Sequence, residues 1–278
     1  MNRGMEILDT QLPPLPNDQD ERHPTTPWLI TIYLSLQSLR QSVTSLSDTS
    51  PHVNMHFFSI LTLASIAAAI PVDLVTRQLD RTGTTEHEFS LSLRCAKVVF
   101  VWARGSTELG NMGTVIGPPL GDELRKEYGS DLQIEGVDYA ALLSTNYLPG
   151  GTDLAAELEM RGILNDINRR CPQAVIVTGG YSQGAAVNHR AIEDLDSAVS
   201  GQIAGVVTFG DTQNRADGGR IPNFPTNKIK IFCGGLIRDS VCDGNLAGAV
   251  LAPHLSYGSD AGEAGRFLIG KINAVLKK

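Results

Sequence analysis

Ala174-Val175-Ile176-Val177-Thr178-Gly179-Gly180-Tyr181-Ser182-Gln183-Gly184-Ala185-Ala186 decides the fold of this 278-residue chain. The apolar, β-branched run from Ala174 to Thr178 reads as a buried strand, and the segment after Gly184 reads as a helix through Leu195. A strand passing through Gly-x-Ser-x-Gly into a helix is the setting of a nucleophile elbow. So sharp a turn leaves no room for a Cβ two residues either side of the serine, which accounts for Gly180 and Gly184. Ala185 and Ala186 let the helix lie close to the strand. A chance match in a Gly-rich loop is the competing reading, and the flanking strand and helix argue against it. Ser182 is the candidate nucleophile.

An elbow calls for an acid and then a histidine later in the chain. His23, His52 and His56 lie within or before an apolar leader segment described below, and His87 precedes the first cysteine in a polar stretch. His189 follows Ser182 on the same helix, about 10 Å along an axis that rises about 1.5 Å per residue, too far to reach the serine hydroxyl. Elimination leaves His254, in Leu251-Ala252-Pro253-His254-Leu255-Ser256-Tyr257, as general base. Among acids, Glu193, Asp194 and Asp196 read as the solvated face of the helix after the elbow. Asp211 ends the next strand and Asp217 sits in a Gly-rich loop. Asp239 and Asp243 flank Cys242 after a later strand, where the acid of such sheets usually falls; spacing does not choose between them.

The rest of the chain fits around this element. Strands are expected near Lys97–Trp102, Leu132–Val137, Ala174–Thr178, Ile203–Phe209 and Lys228–Phe232. Helices are expected near Pro119–Tyr128, Thr152–Arg170, Gln183–Leu195 and Gly262–Leu276. Continuous apolar strands alternating with amphipathic helices predict an α/β fold, a three-layer sandwich with a mostly parallel sheet covered on both faces. The first strand ends in Ala103-Arg104-Gly105-Ser106, which places Ser106 where an elbow hydrolase carries one oxyanion-hole donor. The other donor is the backbone N–H after the nucleophile, that of Gln183. Each such donor is typically worth about 10²–10³-fold in rate.

Several ordered stretches carry a family resemblance. Gly180-Tyr181-Ser182-Gln183-Gly184-Ala185-Ala186 with Ile192-Glu193-Asp194-Leu195-Asp196-Ser197, Asp239-Ser240-Val241-Cys242, and Ala252-Pro253-His254-Leu255-Ser256-Tyr257-Gly258 resemble signatures of fungal cutinases. So do Ala103-Arg104-Gly105-Ser106-Thr107-Glu108 and Gly219-Arg220-Ile221-Pro222-Asn223-Phe224-Pro225, the similarity running from about Cys95 to the C-terminus. The resemblance implies a small lidless α/β-hydrolase, Asp239 as the triad acid, and both backbone and hydroxyl of Ser106 in the oxyanion hole. Two loops depart from the family pattern: Gly234-Gly235-Leu236-Ile237-Arg238 and the stretch near Ala247-Gly248-Ala249 each look extended by two residues. Both frame the candidate triad and could reshape the mouth of its pocket.

Four cysteines, Cys95, Cys171, Cys233 and Cys242, suit a secreted disulfide protein and allow three pairings. Cys233 with Cys242 would close a small loop around Asp239. Cys95 with Cys171 would tie the first strand to the segment entering the elbow strand, a stabilisation of about 4 kcal/mol in the chain-entropy account. The resemblance supports this pairing. Phe57-Phe58-Ser59-Ile60-Leu61-Thr62-Leu63-Ala64-Ser65-Ile66-Ala67-Ala68-Ala69 has the form of a secretory h-region ending in Ala-x-Ala, and it is too short to span a membrane. Translation from Met55 is therefore expected, with residues 1–54 a non-native extension, 55–69 a signal peptide, 70–94 a short propeptide or loose N-terminus, and 95–278 the hydrolase domain.

A net charge of −7 without basic runs argues against a nucleic-acid partner. No metal-ligand cluster or phosphate-cradling loop is visible, so no metal or cofactor is expected; nor is a membrane anchor, and a secreted monomer is the expectation. Leu148, Val250 and Leu255 are the expected apolar rim of the cleft. Such a rim favours cutin, a plant polyester, and short-to-medium acyl esters. The alternatives are an acetylxylan esterase, which would want a smaller and more polar pocket, and a non-catalytic elicitor of plant defence, against which an intact candidate triad argues.

Overall fold

The computed structural model describes residues 81–277. The apolar leader, the expected start at Met55 and the segment up to residue 80 lie outside the described residues. Five strands, β1 (Val98–Ala103), β2 (Leu132–Gly136), β3 (Val175–Tyr181), β4 (Ile203–Phe209) and β5 (Ile229–Phe232), form one sheet in the order β2-β1-β3-β4-β5. Every pairing is parallel. Four of the strands are buried along their whole length. β1, β3 and β4 are accordingly largely apolar without alternation, whereas the edge strand β2 buries Gln133 and Glu135 against the segment that precedes β1.

The helices are α1 (Gly117–Tyr128), α2 (Leu154–Arg170), α3 (Gln183–Glu193), α4 (Ser197–Gln202), α5 (Ala252–Leu255) and α6 (Ala261–Leu276). Alternate residues of β1 feed two separate cores. Val98, Phe100 and Trp102 pack with Leu120 and Leu124 of α1 and Leu268 and Ile272 of α6. Val99, Val101 and Ala103 pack with Met160 and Leu164 of α2 and Val187 and Ala191 of α3 on the opposite face. The period-2 direction of strand side chains thus makes three layers, helices on both faces of the sheet.

Local chemistry sets the helix boundaries. Proline in the first turn opens α1. Asp153 caps α2 by accepting the Ala156 amide at 2.9 Å, a contact worth about 1 kcal/mol. The Cys95–Cys171 disulfide then joins the end of α2 to the segment entering β1. The expected loose stretch before Cys95 is not loose from Arg81 onward. Phe89 is buried under the Arg170 guanidinium, the Glu88 amide bonds the Ile134 carbonyl, and Glu135 accepts the Phe89 and Ser90 amides. The physical reason is the free edge of β2, whose backbone and carboxylate groups this segment satisfies. The short helices α4 and α5 fall in segments that the sequence pattern leaves as loop.

Candidate active site

Strand β1 neighbours β2 on one side and β3 on the other, so the strand order reverses between β1 and β3. Loops beyond the carboxyl ends of strands at such a switch point leave a crevice for ligands. Ser106 follows β1 and Ser182 follows β3, so both stand at that crevice.

Ser182 adopts φ 56° and ψ −116°, outside the comfortable regions for an L-residue. Its amide is held by the Phe209 carbonyl at 2.8 Å. The strain is confined by the flanking glycines: a Cβ on Gly180 would collide with the Gly184 carbonyl, and one on Gly184 with the Ala103 carbonyl. The elbow serine therefore stands at the mouth of α3, its own fractional exposure only 8%.

His254 lies in the one-turn helix α5 rather than in an open loop, and it is buried. Its Nδ1–H donates to Asp239 Oδ2 at 2.6 Å. Asp239 is buried as well and opens the 3₁₀ turn Ser240–Asp243. The Cys233–Cys242 disulfide closes this loop, and the Asp239 backbone is bonded to both of its ends, N–H to the Cys233 carbonyl and C=O from the Cys242 amide. Burial works to raise the Asp239 pKa. Hydrogen bonds from His254, the Val241 amide and the Tyr257 hydroxyl outweigh it and hold the carboxyl below its ordinary value. Of the two acids that spacing left open, Asp239 meets the imidazole. Asp243 instead pairs with Arg238 at 2.7 Å on the surface.

Asp211 and Asp217 go elsewhere. They flank the fully buried His189, at 2.9 Å and 2.6 Å. Gly210, with φ +53°, carries no side chain because a Cβ there would strike the His254 ring and the Asp239 carboxylate. The cluster around His189 thus pins the turn after β4 that lies against the Asp239–His254 pair.

Ser182 and His254 share a cleft of about 490 Å³ with Ser106, Asn146 and Tyr181. Its rim is apolar, with Leu143, Tyr147, Val250 and Leu255 all largely exposed. Of the three residues expected at the rim, Val250 and Leu255 line this cleft. Leu148 does not line the cleft: the 3₁₀ turn Leu143–Tyr147 presents Leu143 and Tyr147 instead, and Leu148 follows as its cap. Asn146 is a residue that sequence reasoning missed, and no spacing or motif signals it. Its amide donates to Ser106 Oγ at 2.8 Å and to the Leu143 carbonyl at 3.1 Å. With Oγ accepting from Asn146, the Ser106 hydroxyl hydrogen is left free for the cleft. The Gln183 side chain braces the same loop by donating to the Leu142 carbonyl and to Thr145 Oγ1.

An elbow serine and a buried Asp–His pair around a switch-point cleft, on an all-parallel sheet covered by helices, define an α/β-hydrolase fold of the ester-hydrolase type. Residues 94–272 match the Cutinase family. The chain is 47% identical over 231 residues to the cutinase of Fusarium solani subsp. cucurbitae, covering 80% of this chain and 98% of that one. It is 44% identical over 220 residues to the probable cutinase 1 of Aspergillus niger, covering 76% and 82%. Among solved structures it is similar to Trichoderma reesei cutinase in complex with a phosphonate inhibitor, with a TM-score of 0.59, 27% identity, and 86% and 98% of the two chains covered. An acetyl xylan esterase shares the fold, with a TM-score of 0.52 and 20% identity over 64% of this chain and all of that one. The chain belongs to the cutinase family, and it is a carboxylic ester hydrolase.

Proposed function

We propose that this protein hydrolyses ester bonds of cutin and of short-to-medium acyl chains through Ser182, His254 and Asp239. The observation that carries the reading is the buried 2.6 Å pair of His254 and Asp239 beside a strained elbow serine in an apolar-rimmed cleft. His254 takes the Ser182 proton as the hydroxyl attacks the ester carbonyl, and Asp239 orients the imidazole and stabilises its charged form. The backbone N–H groups at Ser106 and Gln183, with the Ser106 hydroxyl set by Asn146, receive the developing oxyanion. The imidazolium then returns its proton to the departing alcohol, and water activated by His254 cleaves the acyl-enzyme.

Exposed Leu143, Tyr147, Val250 and Leu255 favour a waxy substrate over a sugar acetate, because a polar polymer offers them no apolar surface to cover. Secretion, with cleavage near Ala69 and translation from Met55, completes the reading. The two disulfides agree with an oxidising destination.

The test is direct. The protein secreted from the full chain is sequenced at its N-terminus and assayed on a p-nitrophenyl ester series, on cutin and on acetylated xylan, beside Ser182→Ala. Activity peaking at butyrate-like chains with release from cutin, lost in the variant, is the expected result. Activity confined to acetates and acetylated xylan would overturn the substrate assignment. An inert wild type would overturn the mechanism, and a mature N-terminus upstream of Met55 would overturn the start site.

A further inference from the structure

Tyr257 opens the 3₁₀ turn that follows α5 and is 1% exposed. Its ring is wedged edge-on among Tyr181, Phe209 and His254, at centroid distances of 6.0, 5.7 and 6.2 Å. Three rings fix the plane of the phenol and with it the direction of the hydroxyl. That hydroxyl donates to Asp239 Oδ2 at 2.8 Å, the same oxygen that accepts His254 Nδ1–H. The other oxygen, Oδ1, accepts the Val241 amide at 3.0 Å. The carboxylate is therefore gripped by three donors, and one of them serves no other evident purpose in the reaction.

We propose that Tyr257 is a positioning residue of the ester hydrolysis: its hydroxyl locks the Asp239 carboxylate into the one orientation that aims His254 at Ser182, and keeps that carboxylate ionised. The proposal rests on the esterase reading above and adds a residue to it.

Three physical arguments support it. A carboxylate held only by His254 and one amide could turn about its Cβ–Cγ bond; a third donor at a fixed angle removes that freedom, so the imidazole is held in a narrower range of attack geometries. Burial strips Asp239 of water, and each donor replaces a lost hydration bond, so removing one makes the buried anion take up a proton more readily. Burial, reinforced by the neighbouring Asp239 charge, also pushes the Tyr257 phenol well above its ordinary pKa, so it remains a donor throughout the working range. The other groups facing Asp239 do not replace it. Arg238 is engaged with Asp243 at 2.7 Å, and the Tyr181 hydroxyl donates to the His254 carbonyl at 2.9 Å.

The test is Tyr257→Phe, a change that deletes one oxygen atom and keeps the ring. Expected is an upward shift of the acid limb of kcat/KM by about one pH unit, the size of one hydrogen bond to a charged group. With it comes a fall of about tenfold in kcat at the optimum, with KM on p-nitrophenyl butyrate unchanged. In an Asp239→Asn background the same substitution is expected to change kcat less than about twofold, since its route of action is gone. An unchanged acid limb and kcat with only a lower melting temperature would make Tyr257 a packing residue and overturn the proposal. So would a full effect that persists in Asp239→Asn. Proton uptake by the Asp239–His254 pair, followed through the Asp239 carboxyl ¹³C resonance with and without the Tyr257 hydroxyl, reads the same contact without turnover. An inert wild type would thus count against the esterase reading alone, while the resonance would still decide for or against Tyr257.

Discussion

Raising the pH is expected to unfasten the turn behind the active site, because a buried imidazolium holds it. His189 is wholly buried between Asp211 at 2.9 Å and Asp217 at 2.6 Å. Arg190, next to it on α3, bonds Asp217 as well and reaches Glu193 at 3.1 Å. Burial alone would lower the His189 pKa; the Asp211 charge and the hydrogen bonds to Asp211 and Asp217 outweigh it and raise it from 6.5 to about 9. A folded-state pKa above the unfolded value means stability that is complete below about pH 6.5 and is lost as pH rises through about 9. A shift of about 2.5 units at about 1.36 kcal/mol per unit gives about 3 kcal/mol, with little solvent to screen a pair at zero exposure. For a domain of this size that is about 6–12 °C in melting temperature. The assay is urea unfolding of wild type and His189→Gln between pH 6 and 10.5. Tyrosines and lysines titrate in both proteins and cancel in the difference. All four cysteines are in disulfides, so no free thiolate starts exchange at alkaline pH. The stability gap is expected to be widest near pH 6 and to narrow by about 3 kcal/mol by pH 10.5. Parallel pH profiles for the two proteins would refute the reasoning.

Other expectations test the site piece by piece. Gly184→Ala puts a Cβ onto the Ala103 carbonyl and is expected to destabilise the fold by about 3 kcal/mol; an unchanged melting temperature would show that the elbow tolerates a side chain. Asn146→Ala removes the donor that orients the Ser106 hydroxyl and is expected to lower kcat about tenfold with KM nearly constant, a split that steady-state kinetics on a soluble ester measures. Replacing Cys233 and Cys242 together by serine opens the loop that carries Asp239, for a loss of about 3 kcal/mol and a larger loss of activity than of helix signal by circular dichroism. Equal losses of the two would mean that the bridge acts on the whole domain and not on the acid.

Much of this was legible in the chain. The run from Ala174 to Thr178 reads as a buried strand because a parallel strand covered on both faces has no reason to alternate, and Gly180 and Gly184 mark the elbow because contact with neighbouring carbonyls excludes every other residue. His254 emerges by elimination, since a helix of known rise carries His189 away from Ser182. Asn146, Tyr257 and the cluster around His189 were not legible. Each acts across a gap in sequence, Tyr257 onto Asp239 and Asn146 onto Ser106, and no periodicity encodes a partner on another element. The apolar rim was half legible: Val250 and Leu255 reach the cleft, while the turn at Leu143–Tyr147 decides that Leu143 and Tyr147 do so in place of Leu148.

The sequence by itself determined the layers and the elbow and offered Ser182 and His254 as candidate nucleophile and base, because strand burial, helical rise and the steric demand of glycine are local properties of a chain. Spacing left open which aspartate meets the histidine; the family resemblance implied Asp239, and the tertiary structure brings that carboxylate to the imidazole. Asp239 and Asp243 are equivalent in composition and nearly so in position. What separates them is a loop closed by Cys233 and Cys242 that turns one carboxylate inward among three donors and leaves the other on the surface with Arg238.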